Sequence, residues 1–367
     1  MDSRRRGITV ALIVLVIIFA VWVSRTGVKK SMPPAEFEKP AITEAEKPRS
    51  MAGTQVPSTQ EPAEQILEQV QEIPQEATPE PAPEIARAIA PVAGQPCSPD
   101  TPAVAKQRSA AAPAGMVYVP GGIFTMGVST GAQGSDDMPA HNVCLSGFYI
   151  DRFEVTNAQF KEFVDATGYV TDAEKQGASE SVRTWRHPYG PDSNFETMLD
   201  HPAICVSWND ANAYAGWIGK RLPTEAEWEK AARGTDGRIF PWGNTTPAGS
   251  IANVADKSFS AKWSAAGMDD SHKTAAPVGS FPTGKSVYGA EDMAGNVWEW
   301  CSDWWDSKYY MQSPPNNPVG PATGEYRIIR GGSWYYHLDG AKTTQRMYFR
   351  PDGSSAAIGF RCVLEVK

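Results

Sequence analysis

Residues 331–362 read GGSWYYHLDGAKTTQRMYFRPDGSSAAIGFRC, from Gly331-Gly332-Ser333-Trp334 to Gly359-Phe360-Arg361-Cys362, with no cysteine in between. Paired glycines before a bulky aromatic run mark a tight turn, and the stretch is aromatic and loop-like, without a long helical period. Working outward, the same texture continues: Asp292-Met293-Ala294-Gly295-Asn296-Val297-Trp298-Glu299 lies just upstream, followed by Trp300, Trp304 and Trp305. Of 12 tryptophans in 367 residues, only Trp22 precedes residue 114. A sizeable core is therefore expected over 114–367 alone.

Within that region, Met116 to Gly122 reads as a short strand closed by a Pro-Gly turn, and His141 to Ile150 as a second strand. Thr156-x-x-Gln159 is a capping box before the apolar stripe Phe160, Phe163 and Val164, and Gly168 stops that helix. A further helix starts near Asn209-Asp210 and ends at Gly219. Another begins at the capping box Thr224-x-x-Glu227 and ends at Gly234. The acidic run of this last helix is read as a solvated face and not as an acid/base pair. Beyond residue 235 short strands and long loops dominate, and a loop-rich domain of this kind invites bound metal as reinforcement.

Ahead of the domain, Ile8 to Val23 is an unbroken apolar run after Arg4-Arg5-Arg6. It is slightly short for a spanning helix and slightly long for a signal-peptide core; no small-residue cleavage pattern follows. An uncleaved anchor over residues 1–30 is preferred to a cleaved signal. Arginines before the run favour a cytoplasmic N-terminus and an extracytoplasmic domain, in the inner membrane facing a periplasm-like space. Residues 31–113 are rich in Pro, Glu and Ala and read as a disordered linker able to reach on the order of 200 Å. It is a passive spacer or, alternatively, a ligand for an envelope partner. The net charge of −8 offers no basic patch, which excludes a nucleic-acid role. Among five cysteines, Cys97 is the odd one out, leaving Cys144, Cys205, Cys301 and Cys362; a Cys301–Cys362 bond is the pairing guessed.

Nine segments together resemble the formylglycine-generating enzyme family, also called sulfatase-modifying factors. They are MVYVPGGIFTMG, FYIDRFEVTNAQF, WRHPYGPDS, HPAICVSWNDANAYAGWIGKRLPTEAEWEKAARG, FPWGN, APVGSFP, DMAGNVWEWCSDWW, RIIRGGSW and GFRC, in the family's order. The resemblance implies an α+β domain related to C-type lectins, low in regular structure. It also implies calcium at two places: Asn253 and Asp270 by side chain with Val254 and His272 by carbonyl, and Asp292 and Glu299 by side chain with Gly295 and Val297 by carbonyl. The family usually has Asn at the position of Asp292. Oxidases of the family hold copper on two cysteines in the 331–362 interval. Here the first of those positions corresponds to Tyr336, and the second falls in the loop from His337 to Ala341. Cu(I) selects thiolates over phenols, so copper is not expected.

The candidate cleft residues are Ser333, Tyr336, His337 and Arg346; His187 is read as structural. Tyr335, Tyr336, His337 and Asp339 could instead form a harder N/O metal site. The expected function is a membrane-anchored binding or structural component of the envelope, with a protein or peptide partner. Two alternatives stand beside it: an oxidative peptide-modifying enzyme with an altered site, and formylglycine generation on sulfatases.

Overall fold

The computed structural model describes residues 96–131, 135–177, 183–245, 250–258, 264–265 and 267–366. The proposed anchor and most of the proposed linker lie outside the described residues. Among the described residues no helix is long and apolar enough to cross a membrane.

The last part of the proposed linker is ordered. Helix α1 (Pro102–Ala110) starts at the Thr101 cap. Asp100 accepts hydrogen bonds from Arg108, Tyr118 and the Gly121 N–H. Cys97 bonds to Cys144, with 5.7 Å between Cα atoms. The cysteine assignment from sequence is therefore corrected: Cys97 is paired, whereas Cys205, Cys301 and Cys362 are free and buried. The guessed Cys301–Cys362 bond fails because the two side chains face different cores.

The stretch expected as one strand at 141–150 is two. Strand β1 (Met116–Val119) pairs antiparallel with β4 (Phe148–Asp151), which also pairs with β9 (Val363–Glu365). Strand β2 (Gly122–Met126) pairs with β3 (His141–Leu145). Ser146-Gly147 carries the chain from one sheet to the other. A Cβ at Gly147 would lie 2.0 Å from the Tyr118 hydroxyl, so the turn needs glycine.

A four-stranded sheet follows, in the order β7 (Met347–Phe349), β6 (Arg327–Arg330), β5 (Trp298–Trp304), β8 (Ile358–Gly359). Alternation along its strands sends Ile328 and Cys301 to one core and Ile329, Trp298 and Trp300 to the other. The sheet thus lies between two apolar layers. The second layer is closed by α2 (Asn157–Thr167) and α4 (Trp208–Trp217), with Phe160, Phe163, Tyr214 and Phe360 packed as neighbouring rings. Short α3 (Asp172–Lys175), capped by Thr171, joins them through the Asp172–Ser207 and Asp172–Asn209 contacts. Both predicted capping boxes form, and Gly168 adopts the left-handed conformation that ends α2.

Helix α5 (Glu225–Arg233) departs from expectation. Its polar face is not solvated; all nine residues are buried. Glu225 takes Arg330 and Arg346 at 3.0 and 2.7 Å, and Glu229 takes Arg330 and Arg233 at 2.7 and 3.0 Å. Glu227 binds Arg221 through two bonds of 2.6 and 2.7 Å. Lys230 donates to the Pro120 and Gly122 carbonyls, and burial pulls its ammonium down to about 8. Helix-period reasoning placed these charges outside because nothing in the local sequence shows that arginines more than 100 residues downstream close over them.

Candidate functional site

Two positive-φ glycines, Gly331 (100°) and Gly332 (78°), turn the chain out of β6. A Cβ on Gly332 would sit 2.9 Å from the Gly340 carbonyl and the Ala341 nitrogen, so glycine lets the 338–341 turn pack against the GGSW turn. Backbone bonds then fix the segment: Gly295 N to Gly331 O (2.7 Å), Trp334 N to Asn296 O (2.9 Å), Tyr336 N to Ser333 O (2.9 Å) and Ala255 N to Tyr336 O (3.0 Å).

Of the four predicted cleft residues, three stay together and one does not. Ser333 is fully buried, and its hydroxyl accepts from the Tyr335 N–H. Tyr336 is half-buried and meets Trp298 edge to face at 5.4 Å. His337 is exposed, and its Nδ1 accepts from the Asp339 N–H, capping the 3₁₀ turn Leu338–Ala341. Arg346 is corrected: it is buried against Glu225, the Asp136 carbonyl and the Tyr310 ring. An arginine close in sequence to the other candidates serves the α5 ion network instead.

Two residues that sequence reading missed, Tyr189 and Cys205, pack beside this turn. Tyr189, Trp334, Tyr335, Tyr336 and Trp298 form a continuous line of ring contacts, from 5.4 to 6.3 Å between centroids. Cys205 packs in the same apolar cluster as Tyr189 and Trp334. Burial pushes its thiol up to about 12, only partly opposed by Arg183. Its left-handed φ of 58° was invisible in sequence, since no glycine or asparagine marks the position. The Tyr336 phenol is also raised, by burial and then by Tyr335. His187 is exposed, with Nδ1 2.7 Å from the Ser193 carbonyl, consistent with a structural role.

At the first calcium candidate, Asp270 accepts from the Val254 and His272 N–H groups at 3.0 and 2.8 Å. Burial pushes its carboxyl up to about 6, with Asp256 and Asp269 adding to the rise and these two N–H bonds opposing it. Asn253 directs its amide nitrogen to Thr274 O and Asn296 Oδ1, which leaves its buried Oδ1 without a partner. An unpartnered buried oxygen beside a carboxylate suits a hard cation.

The second candidate is less even. Asp292 is buried with Oδ1 unpartnered, while Oδ2 accepts from Gly279 N at 2.6 Å. Glu299, by contrast, accepts from Arg361 at both oxygens (2.7 Å each) and from Trp228 Nε1 (2.8 Å). It is already neutralised, so it would bring no net charge to a cation. Among the described residues no three His, Cys, Asp or Glu side chains gather as a metal site. A cation here would therefore lean on amide and carbonyl oxygens.

With this geometry established, comparison with known proteins is informative. The profile described as a sulfatase-modifying factor enzyme 1-like domain matches residues 101–366. The formylglycine-generating enzyme of Streptomyces coelicolor is 42% identical over 303 residues, covering 72% of this chain and 95% of that protein. The inactive C-alpha-formylglycine-generating enzyme 2 of Mus musculus is 37% identical over 279 residues, covering 67% of this chain and 84% of that protein. Among solved structures, PvdO from Pseudomonas aeruginosa is similar with a TM-score of 0.55 and 29% identity, over 68% of this chain and 94% of that one.

Proposed function

Because this chain belongs to the sulfatase-modifying factor (formylglycine-generating enzyme) family, we propose that it is a member working by binding, without thiol–copper oxidation, as a membrane-tethered extracytoplasmic domain of the envelope. The observation that carries the reading is the turn after Gly332. Tyr336 stands there as a phenol packed on Trp298, and the thiol associated with Trp334, Cys205, is buried and held protonated. Cu(I) needs accessible thiolates, and neither group supplies one. What remains are the half-buried rings of Tyr189, Trp334, Tyr335 and Tyr336, backed by the buried Trp298, which offer broad amphipathic contact to a peptide or glycan.

The tether and compartment rest on the apolar run Ile8–Val23 and on the Cys97–Cys144 bond, since disulfides persist in oxidising compartments. An oxidative enzyme using Tyr335, Tyr336, His337 and Asp339 is disfavoured by local demands on those groups. His337 Nδ1 caps the following turn and Asp339 pairs with Lys342. Formylglycine generation draws on the 42% identical relative of that name.

The test is a peptide carrying a Cys-x-Pro-x-Arg motif, incubated with oxygen and the purified full chain after Cu(I) loading. The peptide cysteine is expected to survive unoxidised. Its conversion to formylglycine, read by mass spectrometry, overturns the proposal.

A further inference from the structure

The chain enters the domain as a strap. Residues 97–112 lie across the outside of the fold, and α1, which makes up most of them, has no buried residue. Two glycines of the domain receive the strap at close range. A Cβ on Gly121 would lie 2.6 Å from the Ser98 carbonyl oxygen, and one on Gly147 would lie 3.0 Å from an Asp100 carboxylate oxygen. The turn after β1 and the crossing between the two small sheets are therefore shaped to lie beneath it.

The fastenings of the strap are polar and covalent. Asp100 is the centre of the polar one: its carboxylate accepts from Arg108 Nη1 (2.6 Å), from the Tyr118 hydroxyl and from Gly121 N (2.9 Å). Its own N–H donates to Gly121 O at 3.2 Å. Arg108 also donates to the Tyr118 hydroxyl (3.0 Å), and the Tyr149 hydroxyl donates to Arg108 O (3.3 Å). Asp100 is, besides, the charge that opposes the effect of burial on the Lys230 ammonium. The covalent fastening is Cys97–Cys144, which joins the start of the strap to β3. Both cysteines are half-buried, so a thiolate from outside can reach the bond. Ordering a strap costs backbone entropy at every residue, and part-exposed polar bonds return little against it. The disulfide thus decides whether the strap stays down.

We propose that Cys97–Cys144 is a redox latch: with the bond intact the strap lies on the domain, and reduction by a protein dithiol frees it while the two cores stay folded. A thiolate of the dithiol attacks one sulfur and releases the other cysteine; its second thiol then resolves the mixed disulfide. Two electrons and two protons pass to Cys97 and Cys144, which end as thiols, while the dithiol ends as a disulfide. The exit point of the upstream chain moves with the latch. It lies at Cys97 in the oxidised form and at Gly115 in the reduced form, which adds roughly 60 Å of fully extended reach. Cys205, Cys301 and Cys362 are buried in the cores and take no part.

Trypsin cleavage of the purified full chain, with fragment ends read by mass spectrometry, tests this. Lys106 and Arg108 lie within α1, where cleavage requires local unfolding. Adding dithiothreitol is expected to speed cleavage after these two residues by about tenfold or more. In the same sample Cys97 and Cys144 should react with maleimide, while Cys205, Cys301 and Cys362 stay unlabelled. Cys97→Ser should be cut at the reduced rate with or without the dithiol. Unchanged cleavage on reduction overturns the proposal, and so does a dithiol effect that persists in C97S. Labelling of the three buried thiols as fast as α1 is cut overturns it too, because the whole domain would then be opening. Should C97S fail to fold, the reduced wild type decides by its cleavage rate and its labelling.

Discussion

Replacing Glu225 with glutamine tests the account of α5 most directly. Glu225 is 2% exposed and accepts three guanidinium bonds, from Arg330 Nη1 (3.0 Å) and from Arg346 Nε (2.7 Å) and Nη2 (3.0 Å). Burial pushes its carboxyl up, but Arg346 and then Arg330 more than reverse this, holding it below the usual range. At about 1.5–3 kcal/mol per bond to a charged group, three bonds give an upper bound of roughly 5–9 kcal/mol. The glutamine oxygen retains part of this, and relief of the nearby Asp303 returns a little more. A net loss of about 3–5 kcal/mol is expected, the range for breaking one side of a buried ion pair. For a domain of this size that corresponds to roughly 6–20 °C in the unfolding midpoint. Guanidinium titration followed by tryptophan fluorescence supplies the measurement, and a double-mutant cycle with Arg346→Met isolates the pair. A coupling of at least about 1.5 kcal/mol is expected in that cycle. A single-mutant loss under about 1 kcal/mol, with coupling near zero, would refute the view that these pairs hold the helix in the core.

Three further outcomes follow from the same structure. Cys97→Ser should destabilise the domain by up to about 4 kcal/mol, the chain-entropy value for a 47-residue separation, and reductant should have the same effect on the wild type. In the native wild-type chain Cys205, Cys301 and Cys362 should resist alkylation, and all three should label once the chain is denatured without reductant; rapid native labelling of Cys205 would contradict its burial. Burial, with Glu225 adding to it, pushes the Asp303 carboxyl up to about 7, so the folded state holds that proton more tightly than the unfolded chain does. Its contribution to stability is present below about pH 4 and declines as pH rises towards 7, by at most about 4 kcal/mol. Asp303→Asn should flatten that part of the stability–pH curve, and an unchanged slope would assign it to other groups.

How much of this was readable beforehand depends on the range of the interactions concerned. Caps and stops are local, so Thr156, Thr224 and Gly168 marked their helices correctly. The ordered motifs of residues 116–362 named the family, and the profile match agrees. Ser146-Gly147 was readable as an interruption, but the apolar alternation on either side ran through it and concealed a change of sheet. The buried charges of α5 and the displacement of Arg346 depend on contacts more than 100 residues apart, which no periodicity records. The pairing of Cys97 was missed for a related reason: Pro96, Pro99 and Pro102 made its surroundings read as linker, although Thr101 caps a helix there that starts with Pro102. Around the GGSW turn, sequence identified the turn and its Tyr336 but not Tyr189 or Cys205, which arrive from other loops.

The segment after Gly332 is held largely through its main chain, by bonds from Trp334 N to Asn296 O, Ala255 N to Tyr336 O and Gly340 N to His337 O. The ion pairs that close the core involve Glu225, Glu227, Glu229 and Glu299 with their arginines, and none recruits a side chain from residues 333–341. The exposed side chains of this segment, His337 and Asp339, can therefore be exchanged at little risk to the framework, whereas Leu338 and Ala341 belong to the core. A lineage can lose or gain reactive groups here by point substitution while folding stays intact. Such an arrangement makes a scaffold evolvable, because the chemistry that this turn presents is set separately from the contacts that fold it.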